Sequence, residues 1–252
     1  HVAAMTVTRP GMYEYETQAA LEKVFRDAGS PRNGYPSIVA SGANACVLHY
    51  HENDRRMRNG DLLLIDAGAE VEGVTGDVTR TFPVTGVCSD AQKAVYQVVL
   101  RALAAGVRAC KPGAPWDRPH RACVRALTKG LVDLGVLRGD PAALVKDGAY
   151  RPFFMHGTSH WIGRDVHDVG GYEDARGRPV TMPIGAVLTV EPGLYFARDD
   201  RGVARELRGI GVRIEDDVLI TKAGPEVLTE AAPKTVQDIE ALMRRARGPR
   251  AR

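Results

Sequence analysis

The chain has 252 residues, of which 44% are hydrophobic and 26% are charged, and its formal net charge is +3. This composition is typical of a globular protein with a substantial core, and it excludes a chain that is mainly disordered or fibrous. The longest apolar stretch, residues 95–107, is interrupted by Gln97 and Arg101, so we predict no membrane-spanning helix and no membrane partner.

The positive charge is concentrated at the end of the chain. The last nine residues contain five arginines and no acid, so the rest of the chain carries −2 instead of +3. We therefore expect no basic face for nucleic acid and no nucleic-acid partner. Residues 1–243 are predicted to form one domain, and residues 244–252 a basic, disordered tail.

The four cysteines, Cys46, Cys88, Cys110 and Cys123, form no C-x-x-C pair. A chain of this length does not need disulfides to fold, so we predict free thiols and a cytoplasmic location. The opening segment, residues 1–7, lacks the basic start and long apolar run of a signal peptide. Its pattern indicates the middle of a helix, so we expect the natural chain to continue before it.

Two stretches follow one plan. Residues 2–29 and 104–135 each predict the end of an alanine-rich helix, a Pro-Gly turn and an amphipathic helix. Between them, Ser89 and Gln92 have the spacing of a capping box, which predicts a helix that begins after Ser89.

A strand pattern follows each helix pair. It covers residues 61–70 and 73–84 in the first half, and residues 186–196 and 211–221 in the second. We interpret this repetition as an internal duplication within one domain of the α+β class.

Each of the four predicted strands contains an acid, and these acids are Asp66, Asp77, Glu191 and Glu215. A carboxylate at the inner end of a buried strand is costly unless it is paired or binds a metal. Any one of them could be an ordinary residue of a turn. Four at matched positions in two halves indicate a site.

Three histidines lie close together in residues 155–168. His156 and His160 share a face if the segment is extended, whereas His167 needs a turn at Gly163 to reach the same place. A His-aromatic pair occurs in each half, at residues 49–50 and 160–161, and we interpret His49 and His160 as equivalent positions of the duplication.

Four carboxylates and one imidazole are a hard donor set, suited to Mn²⁺, Co²⁺ or Fe²⁺ and less selectively to Zn²⁺. Four negative charges could neutralise two divalent ions, so the count favours a dinuclear centre with ions about 3.5 Å apart. Such a centre activates a shared water and polarises a carbonyl, which suits the hydrolysis of an amide.

These residues resemble the pita-bread metallopeptidases, and within them most closely the Xaa-Pro aminopeptidases (aminopeptidase P). The matching runs are residues 41–54, 62–86, 155–172, 187–196, 208–221 and 236–243. The resemblance implies a pita-bread fold, in which two pseudo-twofold related halves form a curved antiparallel sheet covered by helices.

The resemblance also implies a role for each metal ligand. Asp66 would chelate the first ion, and Asp77 and Glu215 would bridge both. His160 and Glu191 would hold the second ion. Two Mn²⁺ ions are expected, with Co²⁺, Fe²⁺ or Zn²⁺ as alternatives.

Further roles follow from the same resemblance. Glu191 would also carry the proton from the nucleophile to the leaving nitrogen. His167 would donate a hydrogen bond to the oxyanion, while His49 and His156 would line the pocket for proline. Arg213 would act through contacts with the ligands or the substrate.

The implied activity is release of the N-terminal residue from peptides with proline in second position, by a metal-bridging hydroxide. Peptides would be the partners, together with a possible homo-oligomer. Prolidase, which cuts Xaa-Pro dipeptides, is the alternative enzyme, and a non-catalytic pita-bread binding module is the alternative class.

Two features of the sequence differ from the resemblance. Full-length members carry an N-terminal domain that has no counterpart here, so the chain could be inactive alone. Thr158 and Arg164 stand where aliphatic residues are expected. Arg164 would either alter the mouth of the substrate site or face solvent, and we favour solvent.

Overall fold

The computed structural model describes residues 1–248. The helices are α1 (Val2–Val7), α2 (Glu14–Asp27), α3 (Asp90–Ala109), α4 (Arg118–Asp133), α5 (Pro141–Lys146) and α6 (Val236–Arg247). The strands are β1 (Arg32–Asn33), β2 (Ile38–Ser41), β3 (Leu62–Asp66), β4 (Ala69–Val71), β5 (Val74–Thr75), β6 (Thr79–Pro83), β7 (Val187–Val190), β8 (Gly193–Tyr195), β9 (Gly211–Arg213), β10 (Asp216–Thr221) and β11 (Gly224–Val227).

The strands form small antiparallel sheets that meet at the centre of the molecule. Their orders are β2-β3-β6, β11-β10-β7, β1-β4-β5 and β8-β9. The first two are joined where the Glu215 N–H donates a hydrogen bond to the Thr79 carbonyl at 3.1 Å. The predicted α+β class is confirmed. No helix in residues 1–248 has both the length and the apolar character that a bilayer crossing requires.

Both halves repeat the plan that the sequence predicts. In the first, β3 is the middle strand between β2 and β6. In the second, β7 lies between β10 and an extended segment around Trp161, which bridges to Leu188. A helix pair precedes each set of strands, so the predicted duplication is present.

The equivalence of His49 and His160 is wrong. Ala40 pairs with Leu64, two residues before Asp66. His160 occupies the matching place, because its carbonyl accepts from the N–H of Thr189, two residues before Glu191. The counterpart of His160 is therefore Ala40. His49 lies instead in the loop between β2 and β3. Strand pairing, which identifies the true counterpart, cannot be read from the sequence.

Helix α3 packs against α4 and against β7, β8 and β9. It begins as predicted, because the Ser89 hydroxyl accepts from the Gln92 N–H and the Gln92 side chain accepts from the Ser89 N–H. Its apolar side reaches the main core through buried residues such as Val98 and Val99. Close contact with α4 depends on Gly130, since an ideal Cβ there would lie 2.1 Å from a methyl carbon of Val98.

Replacing Gly130 by alanine should lower the free energy of unfolding by about 1–3 kcal/mol, because added atoms in a packed interface force neighbours out of place. Urea unfolding followed by circular dichroism measures this change. Lys129→Ala, on the exposed side of the same helix, is the control and should change stability by less than about 0.5 kcal/mol. Equal effects of the two substitutions would contradict this account of the contact.

Helix α6 extends beyond the predicted end of the domain. Its last turn contains Arg244, Arg245 and Arg247, which suits the negative end of the helix dipole. Arg247 donates hydrogen bonds to the carbonyls of Val84, at 2.7 Å, and Thr8, at 3.2 Å. The prediction of disorder from residue 244 is thus wrong for residues 244–247. Residues 249–252 lie outside the described part of the chain.

A buried ion pair fixes the strand beside the centre. The side chains of Arg80 and Asp216 are 0% and 1% exposed, and Arg80 Nη2 lies 2.7 Å from Asp216 Oδ1. Asp216 also binds Lys234 Nζ at 2.6 Å, and the Thr229 hydroxyl donates to it at 2.8 Å. Arg80 additionally donates to the Glu215 carbonyl. This network positions the start of β10.

Candidate metal centre

All nine residues predicted for the site line one cavity of about 430 Å³ at the junction of the two halves. They are Asp66, Asp77, His160, Glu191, Glu215, His49, His156, His167 and Arg213. The acids come from the points where strands end or begin, so their side chains turn away from the sheet ladders and into the cavity.

Three of the predicted ligands are already close enough to share one ion. Ligand atoms of Asp77, His160 and Glu215, all buried, lie within 4.8 Å of one another. His160 Nε2 is 3.4 Å from Asp77 Oδ2 and 3.8 Å from Glu191 Oε1. Arg213 Nη2 binds Oδ2 of Asp66, the remaining predicted ligand, at 2.6 Å.

The electrostatics of the cluster fit bound cations. Burial, and after it the neighbouring carboxylates, raise the pKa of Asp77 and Glu215 above their usual values. Burial likewise raises the pKa of Glu191 to about 8, against the opposing effect of Arg213. Asp66 differs, since Arg213 and hydrogen bonds outweigh burial and lower its pKa. Buried carboxylates that repel one another are the environment that divalent metal ions stabilise.

Neighbouring side chains hold the acids in place. The Thr79 hydroxyl donates to Glu215 Oε2 at 2.6 Å, and the Asp77 N–H donates to Asp217 Oδ2 at 2.9 Å. The Tyr35 hydroxyl contacts both Asp66 and Asp77. Sequence analysis missed these contacts. The second acid of the Asp216-Asp217 pair was the available signal, whereas Tyr35 has no distinguishing pattern around it.

Arg213 heads a hydrogen-bonded chain of side chains. Its Nη1 donates to the Tyr195 hydroxyl at 3.1 Å, and that hydroxyl lies 2.8 Å from His156 Nε2. Burial lowers the pKa of His156 to about 3, so its imidazole is neutral at physiological pH. His156 Nδ1 lies 2.7 Å from the Gly157 carbonyl and 3.5 Å from Glu191 Oε2. This network makes Nδ1 the protonated nitrogen. Tyr195 was not singled out from the sequence.

Thr158, one of the two departures from the resemblance, lies behind the ligands. It is buried, its hydroxyl is 2.8 Å from His120 Nδ1, and its carbonyl accepts from the Glu191 N–H. Arg164, the other departure, is exposed as favoured above, beside the cavity.

His167 reaches the cavity through the predicted turn at Gly163, and its ring centroid lies 4.4 Å from that of His160. Asp168 closes this turn. Its carboxylate accepts from the N–H of Arg164 at 3.1 Å and of Val169 at 2.8 Å. An ideal Cβ on Gly163 would lie 2.2 Å from Asp168 Oδ2, so any larger residue here would displace the Asp168 carboxylate.

Comparison with known proteins decides the family. A model of metallopeptidase family M24 matches residues 1–222. The chain belongs to metallopeptidase family M24. Its M24 relatives include the Xaa-Pro aminopeptidase of Escherichia coli, 49% identical over 98% of this chain and 55% of that protein. The Xaa-Pro aminopeptidase of Haemophilus influenzae is 47% identical over 96% of this chain and 56% of that protein.

Solved M24 structures share the whole fold. Aminopeptidase PepP of Pseudomonas aeruginosa superimposes with a TM-score of 0.97 at 51% identity, over 99% of this chain and 56% of that chain. Zinc-substituted aminopeptidase P of Escherichia coli, in complex with product, gives 0.95 at 48% identity, over the same shares. The pita-bread fold predicted from the resemblance is thus confirmed. The present chain spans slightly more than half the length of these relatives.

If His167 donates to the oxyanion as the resemblance implies, changing Asp168 to alanine should lower kcat about 10-fold, because a loosened turn forfeits part of the ~10²–10³ that a well-placed oxyanion donor supplies. The measurement is kcat and KM of the Mn²⁺-loaded chain on a peptide with proline second. Asp168→Asn, which keeps one acceptor oxygen, should have a higher kcat than Asp168→Ala. His167→Ala, which removes the imidazole itself, should have the lowest kcat of the three variants. A wild-type kcat in Asp168→Ala would remove Asp168 from this role.

Proposed function

We propose that this chain is the catalytic part of an Xaa-Pro aminopeptidase, which releases the N-terminal residue from peptides with proline in second position. The observation that carries the proposal is the cavity of about 430 Å³ in which four carboxylates, His160 and four further histidines converge. Curated relatives that share nearly half of its residues bear the name Xaa-Pro aminopeptidase.

The metal content is part of the same proposal. Two divalent ions, most readily Mn²⁺, would be held by Asp66, Asp77, His160, Glu191 and Glu215, a donor set rich in hard oxygen atoms. When bound, such ions polarise a peptide carbonyl and lower the pKa of water, which is the chemistry that amide hydrolysis requires.

Two side chains would then act directly on the substrate: one would transfer the proton, and the other would stabilise the negative charge on the carbonyl oxygen. Glu191 lies half-buried beside His156 and His160, and it would take a proton from the attacking water and give it to the leaving proline nitrogen. His167 would donate to the carbonyl oxygen as negative charge develops on it. The Arg213–Tyr195–His156 chain would keep the neutral imidazole of His156 oriented beside Glu191.

The proline ring would bind in one part of the same cavity. His49 and His156 line it together with the apolar side chains of Ile38 and Leu48. An Xaa-Pro bond has no N–H, so selection must come from the fit of the ring and not from a donor. We assign the two histidines to this part of the pocket.

The decisive assay compares peptides with and without proline in second position, using the Mn²⁺-loaded chain. We expect release of the N-terminal residue from an Xaa-Pro tripeptide and from longer peptides, and much slower release when alanine replaces proline. Cleavage restricted to Xaa-Pro dipeptides would instead identify a prolidase. Absence of metal uptake and of hydrolysis would favour a binding module, and activity only in a longer chain would identify a dependent fragment.

Location and assembly are further proposals. The four cysteines are free thiols, as predicted, which supports a reducing compartment such as the cytoplasm. Peptides remain the expected partners, and a homo-oligomer is testable by light scattering.

A further inference from the structure

A second pocket lies directly beside the metal cavity. It has a volume of about 570 Å³ and shares the residues Tyr35 and Pro36 with the first cavity, so these two residues form a common wall. Pro36 is exposed, and the wall is therefore open to solvent at its edge. A peptide bound at the metal cavity could pass this edge, since each further residue extends a chain by roughly 3.3 Å.

Three arginines, Arg26, Arg32 and Arg164, line this second pocket. Arg32 uses only its Nε toward Glu70, at 2.7 Å. Arg26 donates to two neutral acceptors, Asn33 Oδ1 at 2.9 Å and the Ser30 carbonyl at 3.4 Å. The guanidinium of Arg164 makes no hydrogen bond or ion pair within residues 1–248.

The acids of the pocket are Glu70, which is occupied by Arg32, and Asp165, which is exposed. Three guanidinium groups against two carboxylates leave a net charge of +1. Arginine presents a planar set of donors that matches a carboxylate. Arg164 therefore offers a free donor surface to an anionic group that arrives from the metal cavity.

We propose that this pocket is a subsite for a carboxylate of the substrate peptide, with Arg164 as its principal donor. The carboxylate is either an Asp or Glu side chain or the C-terminus of a short peptide. The proposal rests on the proposed peptidase function and extends it to a preference for acidic peptides. It also gives a role to an arginine at a position where the family resemblance predicts an aliphatic residue.

The test uses the Mn²⁺-loaded chain and a neutral, C-terminally amidated peptide that begins Ala-Pro. Glutamate or glutamine is then placed at each position other than the proline, and a separate arm compares the free C-terminus with the amide. We expect one position, or the free C-terminus, to raise kcat/KM about 2- to 5-fold over its neutral counterpart, the range of an exposed ion pair. The arm that responds identifies the source of the carboxylate.

Variants of Arg164 connect this preference to the pocket. Arg164→Leu should reduce the ratio of acidic to neutral peptide to about 1, and Arg164→Glu should favour lysine at the same position. Both should change kcat/KM for the acidic peptide far more than for the neutral peptide, because Arg164 is exposed and lies outside the metal centre. Arg125→Leu, an exposed arginine on α4, is the matched control and should keep the wild-type ratio.

Two results would overturn the subsite. One is a wild-type ratio of 1 in every arm, and the other is a preference that survives in Arg164→Leu and Arg164→Glu. Failure of the peptidase proposal looks different, because the neutral parent peptide would then not be cleaved at all. In that case calorimetry on the metal-free chain decides the subsite, by comparing the Kd of the glutamate and glutamine peptides in wild type and Arg164→Leu.

Discussion

Replacing Glu191 by glutamine is expected to lower kcat by about 10²–10⁴-fold, the usual contribution of a group that transfers the proton in the transition state. Glutamine has nearly the same shape but cannot accept a proton or supply a negative charge. The affinity for Mn²⁺ should fall as well, because a carboxylate next to His160 is lost from the donor set.

The fold should survive this substitution. Burial raises the pKa of Glu191 to about 8 in the metal-free chain, so at pH 7 the side chain is largely neutral, like glutamine. We expect the metal-free free energy of unfolding to change by less than about 1 kcal/mol, which separates loss of function from loss of structure. Calorimetric Mn²⁺ titration, urea unfolding and peptide hydrolysis are the three measurements.

Glu226→Gln, an exposed acid on β11, is the matched control for charge and shape. It should leave all three quantities unchanged. Full activity together with full Mn²⁺ uptake in Glu191→Gln would show that Glu191 is neither a ligand nor the proton carrier.

Replacing Asp216 by alanine should cost about 3–5 kcal/mol of folding free energy, because it leaves the buried Arg80 guanidinium without its counter-charge. Lys234 and Thr229 lose their acceptor at the same time. Burial alone would raise the pKa of Asp216, but Arg80 and Lys234 lower it below the usual 3.8. The stabilisation therefore exists above that pH and is lost as the pH falls through the folded-state pKa.

Urea unfolding at neutral pH measures the loss, and Asp27→Ala is the control. Asp27 pairs with Lys23 at the surface, where both side chains are more than half exposed, so its removal should change stability by no more than about 1 kcal/mol. A cost for Asp216→Ala as small as that of the control would mean that the buried pair contributes nothing.

The positions of the acids can be predicted from the sequence, but the shape of the strands that carry them cannot. Each strand pattern was predicted as continuous, yet β3 ends at Asp66, β7 ends just before Glu191, and β10 begins just after Glu215. The breaks have physical causes. A Cβ on Gly68 would lie 1.6 Å from the Gly76 carbonyl oxygen, and Pro192 lacks an N–H for a ladder. The strand patterns therefore mispredict the structure at the positions where the acid side chains turn into the site.

The duplication was visible in the sequence, whereas the register within each half was not. His49 and His160 share an aromatic neighbour, but pairing of β2 with β3 gives the true counterpart, Ala40. Tyr35 contacts Asp66 and Asp77, which follow it in the sequence by 31 and 42 residues. Hydrophobic periodicity predicts local structure and gives no information on such long-range contacts. The turn at Gly163 is predictable because it depends on neighbouring residues only: a glycine lies between His160 and His167, which would otherwise face opposite sides of an extended segment.

The division of the acids between the two halves makes each half dependent on the other. Asp66 and Asp77 belong to the first half of the described residues, whereas Glu191 and Glu215 belong to the second. A fragment that contains only one half would hold two of the four carboxylates. The proposed hydrolysis would therefore depend on both halves being present in one folded chain, because neither half carries the complete donor set.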